Sequence, residues 1–322
     1  MKKSIWKVLV GILVLALAAG CAAAPAKTET VKVRIGTQPW IGYGPWWIAQ
    51  KKGLFEKYGL DVELVDFAED KEVNAAFASG DMNAANIATH TAIKLYSTGL
   101  DLKLVLLEDV STSADAILAD KSITSIADLK GKSVAYEEGT TSDLLLNYAL
   151  QQNGMTLADI KPVPMPASDA GTALLTGNVP VAVTYEPYIT EVTKQSDKIA
   201  ILYKAGERPG LISDVLVVNS KWAEKNPETV SKLLKVWDEA LAYYKENPTD
   251  AKAIIAEAVG SSSDDLETAF EGVKFYSAAE NKTALSGDFS STIQDVATVS
   301  KSIGLFDTIP DLKKMVDDSY LK

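Results

Sequence analysis

Apolar and polar side chains alternate from Val31 to Gly36 (VKVRIG) and again from Leu60 to Phe67 (LDVELVDF). This is the two-residue period of strands with one face turned to a core. Between them Gly44-Pro45 opens a helix, because the missing proline N–H costs nothing in a first helical turn. The helix is predicted to reach about Tyr58, with Gly59 as its cap. Asp70 is expected to cap a second helix through Ala78, ended near Gly80. Asn83 to Ala88 (NAANIA) then reads as a strand of small residues.

The same order returns further on. Lys132 to Glu137 (KSVAYE) is a predicted strand, and Gly139-Thr140-Thr141-Ser142 turns into a helix that ends at Gly154. Lys161 to Met165 is extended, and Asp169 caps a short helix through Leu175, ended by Gly177. Val179 to Thr184 (VPVAVT) is a strand leading into YEPY. Gly59 and Gly80 lie 21 residues apart, Gly154 and Gly177 lie 23 apart, so the chain carries an architectural duplication. From about Ser213 come a strand (DVLVVN) and an amphipathic helix (PETVSKLLKVWDEALAYYKENP), with Leu233, Leu234, Trp237 and Leu241 on its apolar face. SSSDDLETAFEGV and DLKKMVDDSYL follow as further predicted helices with capping residues.

Strands alternating with helices predict an α/β class with two lobes, each a mixed sheet flanked by helices. Ligands of such sheets sit beyond the carboxyl ends of the strands. The loops TQPWIGYG, ATHT, EEGTTS and TYEPY should therefore face one cleft between the lobes. The chain is expected to cross near Asp109–Asp115 and Leu211–Val215. Residues 31–112 and 213–322 would form one lobe, and residues 113–212 the other.

The N-terminus changes the picture of where this fold works. Lys2, Lys3 and Lys7 precede an apolar run (VLVGILVLALA), and small residues lead into Cys21, the one cysteine of the chain. This resembles a bacterial lipoprotein signal, with residues 1–20 removed, Cys21 lipidated and residues 21–30 as a tether. Ala18 stands where the commonest motif has Leu. The alternative is an uncleaved anchor, since Val8 to Ala26 has no charge over 19 residues. Either way the remainder is exported. Loss of the three lysines takes the net charge from −11 to about −14, which disfavours nucleic-acid binding.

The segments VRIGTQPWIGYGPWWIAQKKGLFEKYGLDVELVDF, ADLKGKSVAYEEGTTSDLLL and VAVTYEPYITEV resemble the solute-binding proteins of ABC importers. The branch is that for nitrate, sulfonate, taurine and thiamin-precursor uptake, and the resemblance covers about Val31 to Val236. It implies a two-lobed periplasmic-binding fold of the second type that closes on a small-molecule solute. It also implies docking on a permease with its ATPase, a monomeric protein, and a lipid anchor on the outer face of the cytoplasmic membrane or in the periplasm. His90 then faces the cleft.

Which solute is a separate question. An anion needs donors, and the chain has two arginines, Arg34 and Arg208. Arg34 sits on a polar strand face, and Arg208 lies in a loop that could reach the cleft. Backbone N–H groups at two helix starts, Gly44-Pro45-Trp46 and Gly139-Thr140-Thr141, offer an alternative for an anion, the first weakened because Pro45 has no N–H. The cleft segments instead carry acceptors and aromatic faces. The site residues assigned are Trp40, Tyr43, Trp46, His90, Asp115, Thr140, Tyr185, Glu186 and Asp214. Glu108, Glu137 and Glu191 are assigned to solvent. Trp46 and Trp47 point about 100° apart, with Trp46 expected at the cleft rim and its neighbour on the sheet. Carboxylates with Trp and Tyr faces suit a small nitrogen-rich cationic or neutral solute, guanidinium-, amine- or pyrimidine-like. The alternative is a small anion such as nitrate, taurine or an alkyl sulfonate.

No cofactor and no metal site is expected, because one His and one Cys do not make a ligand set. A thiamin-precursor-type enzyme on the same fold is the remaining rival. It lacks a Gly-x-Ser-x-Gly elbow and a phosphate loop here, so no enzyme is expected.

Overall fold

The computed structural model describes residues 31–321, apart from 265 and 268. The signal, the lipidated Cys21 and the tether lie outside the described residues.

The alternating segments pair as their patterns require. Strands β1 (Lys32–Thr37), β2 (Asp61–Asp66) and β3 (Ala84–Ala88) form a parallel trio with β1 in the middle. Val33 and Ile35 of β1 are fully buried. The segment between β1 and β2 holds α1 (Gly44–Lys51) and α2 (Leu54–Lys57), not one helix to Tyr58. The break is at Gly53, whose φ of 66° is open to glycine without strain. Helix α3 (Asp70–Ser79) starts from Glu69, not Asp70. Glu69 and Glu72 form a reciprocal capping box, which leaves Asp70 at the first helical position, free to point elsewhere. Helix α4 (Thr89–Ser97) follows β3 directly.

Two long strands without helical separation come next. They are β4 (Leu102–Ser111) and β5 (Asp115–Asp120), and they belong to different sheets. The second trio then repeats the first. β6 (Ser133–Tyr136) pairs in parallel with β7 (Lys161–Pro164) and β8 (Val181–Tyr185), with α5 (Thr141–Gln152) and α6 (Ala167–Leu175) as connections. Helix α7 (Tyr188–Gln195) and β9 (Ile199–Lys204) precede β10 (Ser213–Asn219).

The topology follows. One sheet runs β11-β4-β10-β3-β1-β2, where β11 is Val273–Phe275, and the other runs β7-β6-β8-β5-β9. β10 enters antiparallel between β3 and β4, and β5 enters antiparallel between β8 and β9. Each inserted strand is the first one the chain lays down after leaving the other sheet. The passages are residues 112–114 and 205–212.

The rest of the chain packs mostly on the first sheet, with Val299, Ile303 and Leu305 reaching the core of the second. Helices α8 (Ser220–Lys225), α9 (Pro227–Glu246) and α10 (Pro248–Ala258) come first. Then follow α11 (Ala278–Ser286), α12 (Asp288–Ser302) and the short α13 (Leu312–Met315). SSSDDLETAFEGV holds a 3-10 turn, Ala269–Gly272, among its described residues, and not the predicted helix. Trp237 of α9 is fully buried, and its indole donates to the Tyr276 carbonyl at 2.9 Å.

Candidate functional site

The carboxyl ends of the parallel strands and the amino ends of β5 and β10 meet at one place. A small cavity lies there, lined by Gln38, Trp40, Asp70, Asp115, Thr141, Tyr185 and Asp214. The first sheet contributes Gln38 and Trp40 after β1, Asp70 at the start of α3 after β2, and Asp214 on β10. The second contributes Asp115 on β5, Thr141 at the start of α5 after β6, and Tyr185 ending β8. The geometry is the strand-end crevice of an open α/β sheet, doubled.

Of the nine residues singled out in the sequence, four line the cavity: Trp40, Asp115, Tyr185 and Asp214. Trp40 and Tyr185 meet edge to face, with centroids 5.8 Å apart and planes at 89°. Five stand elsewhere. Tyr43 is fully buried one layer back, where its hydroxyl donates to Asp214 Oδ1 at 2.7 Å. Trp46 is not at the rim. It is fully buried, stacks on Phe55 at 6.3 Å, abuts Trp237 at 5.2 Å, and donates to Glu108 Oε1 at 2.6 Å. Trp47 borders a different surface hollow with Asp66 and Ile254. Thr140 caps α5, accepting from the Ser142 N–H, while its neighbour Thr141 reaches the cavity. Glu186 turns back on its own helix and accepts from the Thr190 N–H at 3.1 Å and the Thr190 hydroxyl at 3.0 Å. His90 is buried off the cavity. Its desolvation, helped by Lys94, lowers its pKa to about 4 against a Gly139 hydrogen bond.

Gln38, Asp70 and Thr141 were not among the side chains assigned to the site, although Thr141 belongs to the helix start offered as a backbone donor to an anion. Gln38 and Thr141 lie inside loops that were assigned to the cleft. Asp70 occupies in the first repeat the place after the second strand, and its acidity there was explained by capping. Glu108 and Glu137, assigned to solvent, are buried. Arg208 does not reach the cleft, because it pairs with Asp295 at 2.6 Å on the surface. Arg34 lies along its strand, donating to the Asp81 carbonyl at 2.9 Å.

Carboxyl groups dominate the electrostatics. Burial pushes Asp115 up to about 7, with Asp214 and Glu186 adding to the shift and the Ser111 and Thr141 hydroxyls opposing it. Burial also pushes Asp214 up to about 7, against the Tyr43 hydroxyl. Asp70 is held well above the carboxylate range by desolvation and then by the charges of Glu137, Asp214 and Asp115. Asp109 behaves likewise, and it sits directly across the β4–β10 ladder from Asp214. Its Oδ2 accepts the Trp40 indole N–H at 3.1 Å, which sets the plane of that ring. Gly42 is required beside this pair: a Cβ there would overlap the Asp109 carboxylate and the Trp40 nitrogen.

The lining holds three aspartates beside four residues that carry N–H or O–H groups, Gln38, Trp40, Thr141 and Tyr185. None of its seven residues is basic. Gln38 Oε1 and Asp115 Oδ2 in the lining, and Asp109 Oδ1 and Glu137 Oε1 nearby, are buried oxygens with no hydrogen-bond partner among the described residues. Unpaired acceptors in a dry site are costly, and a solute rich in N–H groups would satisfy them. The aromatic faces would add cation–π attraction.

Among proteins of similar sequence, a putative binding protein of Brucella abortus is 28% identical over 246 residues, covering 76% of each chain. A putative aliphatic sulfonates-binding protein of Bacillus subtilis is 26% identical over 333 residues, covering 100% of this chain and 96% of that one. The crystal structure of the periplasmic aliphatic sulphonate-binding protein of Escherichia coli superposes with a TM-score of 0.75 at 22% identity, over 91% of this chain and 99% of that chain. That likeness shows the fold, the two-lobed periplasmic-binding arrangement expected from the sequence. The NMT1/THI5-like family model matches residues 40–251, and the chain belongs to that family.

Proposed function

We propose that this chain is the exported solute-binding component of an ABC importer, tethered through Cys21, which closes on a small solute and hands it to a permease. The periplasmic-binding fold supports this reading, as do relatives whose names are those of binding proteins rather than enzymes. Closure would turn on the two passages between sheets, residues 31–112 with 213–322 forming one lobe and 113–212 the other. There Gly206 N–H donates to the Thr112 carbonyl at 2.7 Å, and Thr112 N–H donates to the Gly272 carbonyl at 2.7 Å. A Cβ on Gly206 would meet that Thr112 oxygen, so the two passages lie backbone against backbone. The solute shifts an open–closed equilibrium that exists without it.

For the solute we read a small nitrogen-rich cation, guanidinium-, amine- or pyrimidine-like. The observation that carries this is the lining: three aspartates and unpaired acceptor oxygens, with no basic side chain. A second reading has its own support. The relatives named for sulfonates speak for a small anion, and α5 points its amino end at the cavity through Thr141. Calorimetry with guanidine, an aminopyrimidine, taurine and nitrate separates the two. Binding of guanidine or the aminopyrimidine, with no heat from nitrate or taurine, is expected. Heat from taurine or nitrate alone would overturn the cationic reading in favour of the anion.

A further inference from the structure

The cavity places more acid in one dry space than can be ionised there together. Asp70, Asp115 and Asp214 line it from three different elements, and Asp109 stands directly across the ladder from Asp214. Around them face Tyr43 ahead of α1, Glu69 at the start of α3, Glu108 on β4, Glu137 after β6, Tyr185 and Glu186 at the end of β8, and Tyr188 on α7. The basic groups acting on these acids are Lys71, on Glu137, and Lys194, on Glu186. Lys71 is exposed and paired with Glu69 at 2.6 Å, and neither lysine lines the cavity. Like charges at such spacing in a low-dielectric site force one another to stay protonated.

We propose that solute capture here is a proton exchange: the empty cleft keeps its carboxyl groups protonated, and a cation entering among Asp70, Asp115 and Asp214 sends protons to solvent. The inference rests on the cationic reading of the site. Charge balances without any other reactant. A carboxyl O–H breaks, its proton passes to water or buffer, and the carboxylate left behind pairs with the cation. Asp115 is the clearest donor of such a proton. Its Oδ2 has no hydrogen-bond partner among the described residues, and burial and Asp214 both favour its neutral form. Asp214 is the second, held ready by the Tyr43 hydroxyl on its other oxygen. The consequence is a binder whose affinity for a cation rises with pH until the empty site ionises by itself, near pH 7. Such a protein loads at neutral pH and releases in acid.

The test is calorimetric titration of the protein with guanidinium at millimolar concentrations and below, in pairs of buffers with different ionisation enthalpies, from pH 5.5 to pH 8. Each proton released makes Kd fall about tenfold per pH unit. About one to two protons per guanidinium are expected at pH 6, falling towards none at pH 8. Asp115→Asn should lower the count at pH 6. Guanidinium binding with no proton release and a Kd flat in pH would overturn the exchange while leaving the cation site standing. An unchanged count in Asp115→Asn would overturn the assignment of the proton to that group. Taurine binding with proton uptake, and no binding of guanidinium, would overturn the cation site itself.

Discussion

Raising the pH of the solute-free protein from about 5 to about 7.5 should weaken it. Asp115 and Asp214 have folded pKa values of about 7, against 3.8 for an unshifted aspartate. Both are 4% exposed, so solvent does little to screen the effect. Because the folded values are raised, the folded chain holds protons between about pH 4 and pH 7 that the unfolded chain has lost. The stability these groups contribute is full below pH 4 and is lost as pH rises through 7. A shift of about three units corresponds to about 4 kcal/mol per group. The two sites feel each other, so the sum is smaller than twice that.

Glu186, pushed by burial up to about 7, has the same sign. His90 has the opposite sign. Its folded pKa of about 4 lies below 6.5, so its contribution grows between pH 5 and pH 6.5 and offsets about 2 kcal/mol. Asp70, Asp109 and Glu108, also raised by burial, add to the fall, so a net fall of at least about 3 kcal/mol remains, a large part of the about 5–15 kcal/mol that holds an ordinary domain. Urea unfolding followed by tryptophan fluorescence at pH 5, 6, 7 and 8 measures it, with the midpoint falling at constant slope. In the Asp115→Asn/Asp214→Asn double variant the fall should be smaller, the remainder coming from Glu186, Asp70 and Asp109. A wild-type midpoint that is flat or rises over this range would refute the claim that burial holds the cavity's acids protonated near neutral pH.

Gly42→Ala places a methyl group against the Asp109 carboxylate and the Trp40 indole nitrogen. Overpacking of this kind costs about 1–3 kcal/mol. It should also weaken solute binding by turning the Trp40 ring. Wild-type urea midpoint and affinity together would show that the Trp40–Asp109 pair does not orient the site. Trp46→Ala should lower stability by about 3–5 kcal/mol, because the indole fills the core and satisfies Glu108. Tyr185→Ala, at the cavity wall, should instead lower affinity about tenfold or more with a smaller stability loss. The reverse ranking in paired unfolding and titration experiments would exchange the roles assigned to these rings.

Much of the architecture is legible in one dimension. Two-residue alternation, glycine terminators and proline at helix starts are local signals, and they mark both β-α-β-α-β units with boundaries a residue or two from the observed ones. The strands least legible were β4, β5 and β9. β4 and β5 are buried nearly throughout, so they show no alternation, and a continuous apolar run does not declare its pairing. The cavity was half legible for a related reason. Trp40, Asp115, Tyr185 and Asp214 sit at element ends, which the loop order locates. Tyr43, Trp46 and Glu186 sit at element ends too, yet they face Asp214, Glu108 and Thr190.

By itself the sequence determined the class of fold, the duplicated order of its elements, the family, and the concentration of acids and aromatics near the strand ends. Only the tertiary structure decided which of those side chains meet across the cleft, and that Glu108, Asp109 and Glu137 are buried. The reason is distance along the chain. Tyr43 reaches Asp214 across 171 positions, Trp40 reaches Asp109 across 69, and Trp46 reaches Glu108 across 62. A side chain's direction at such a contact is set by what two sheets bring opposite it, which periodicity along one strand does not encode.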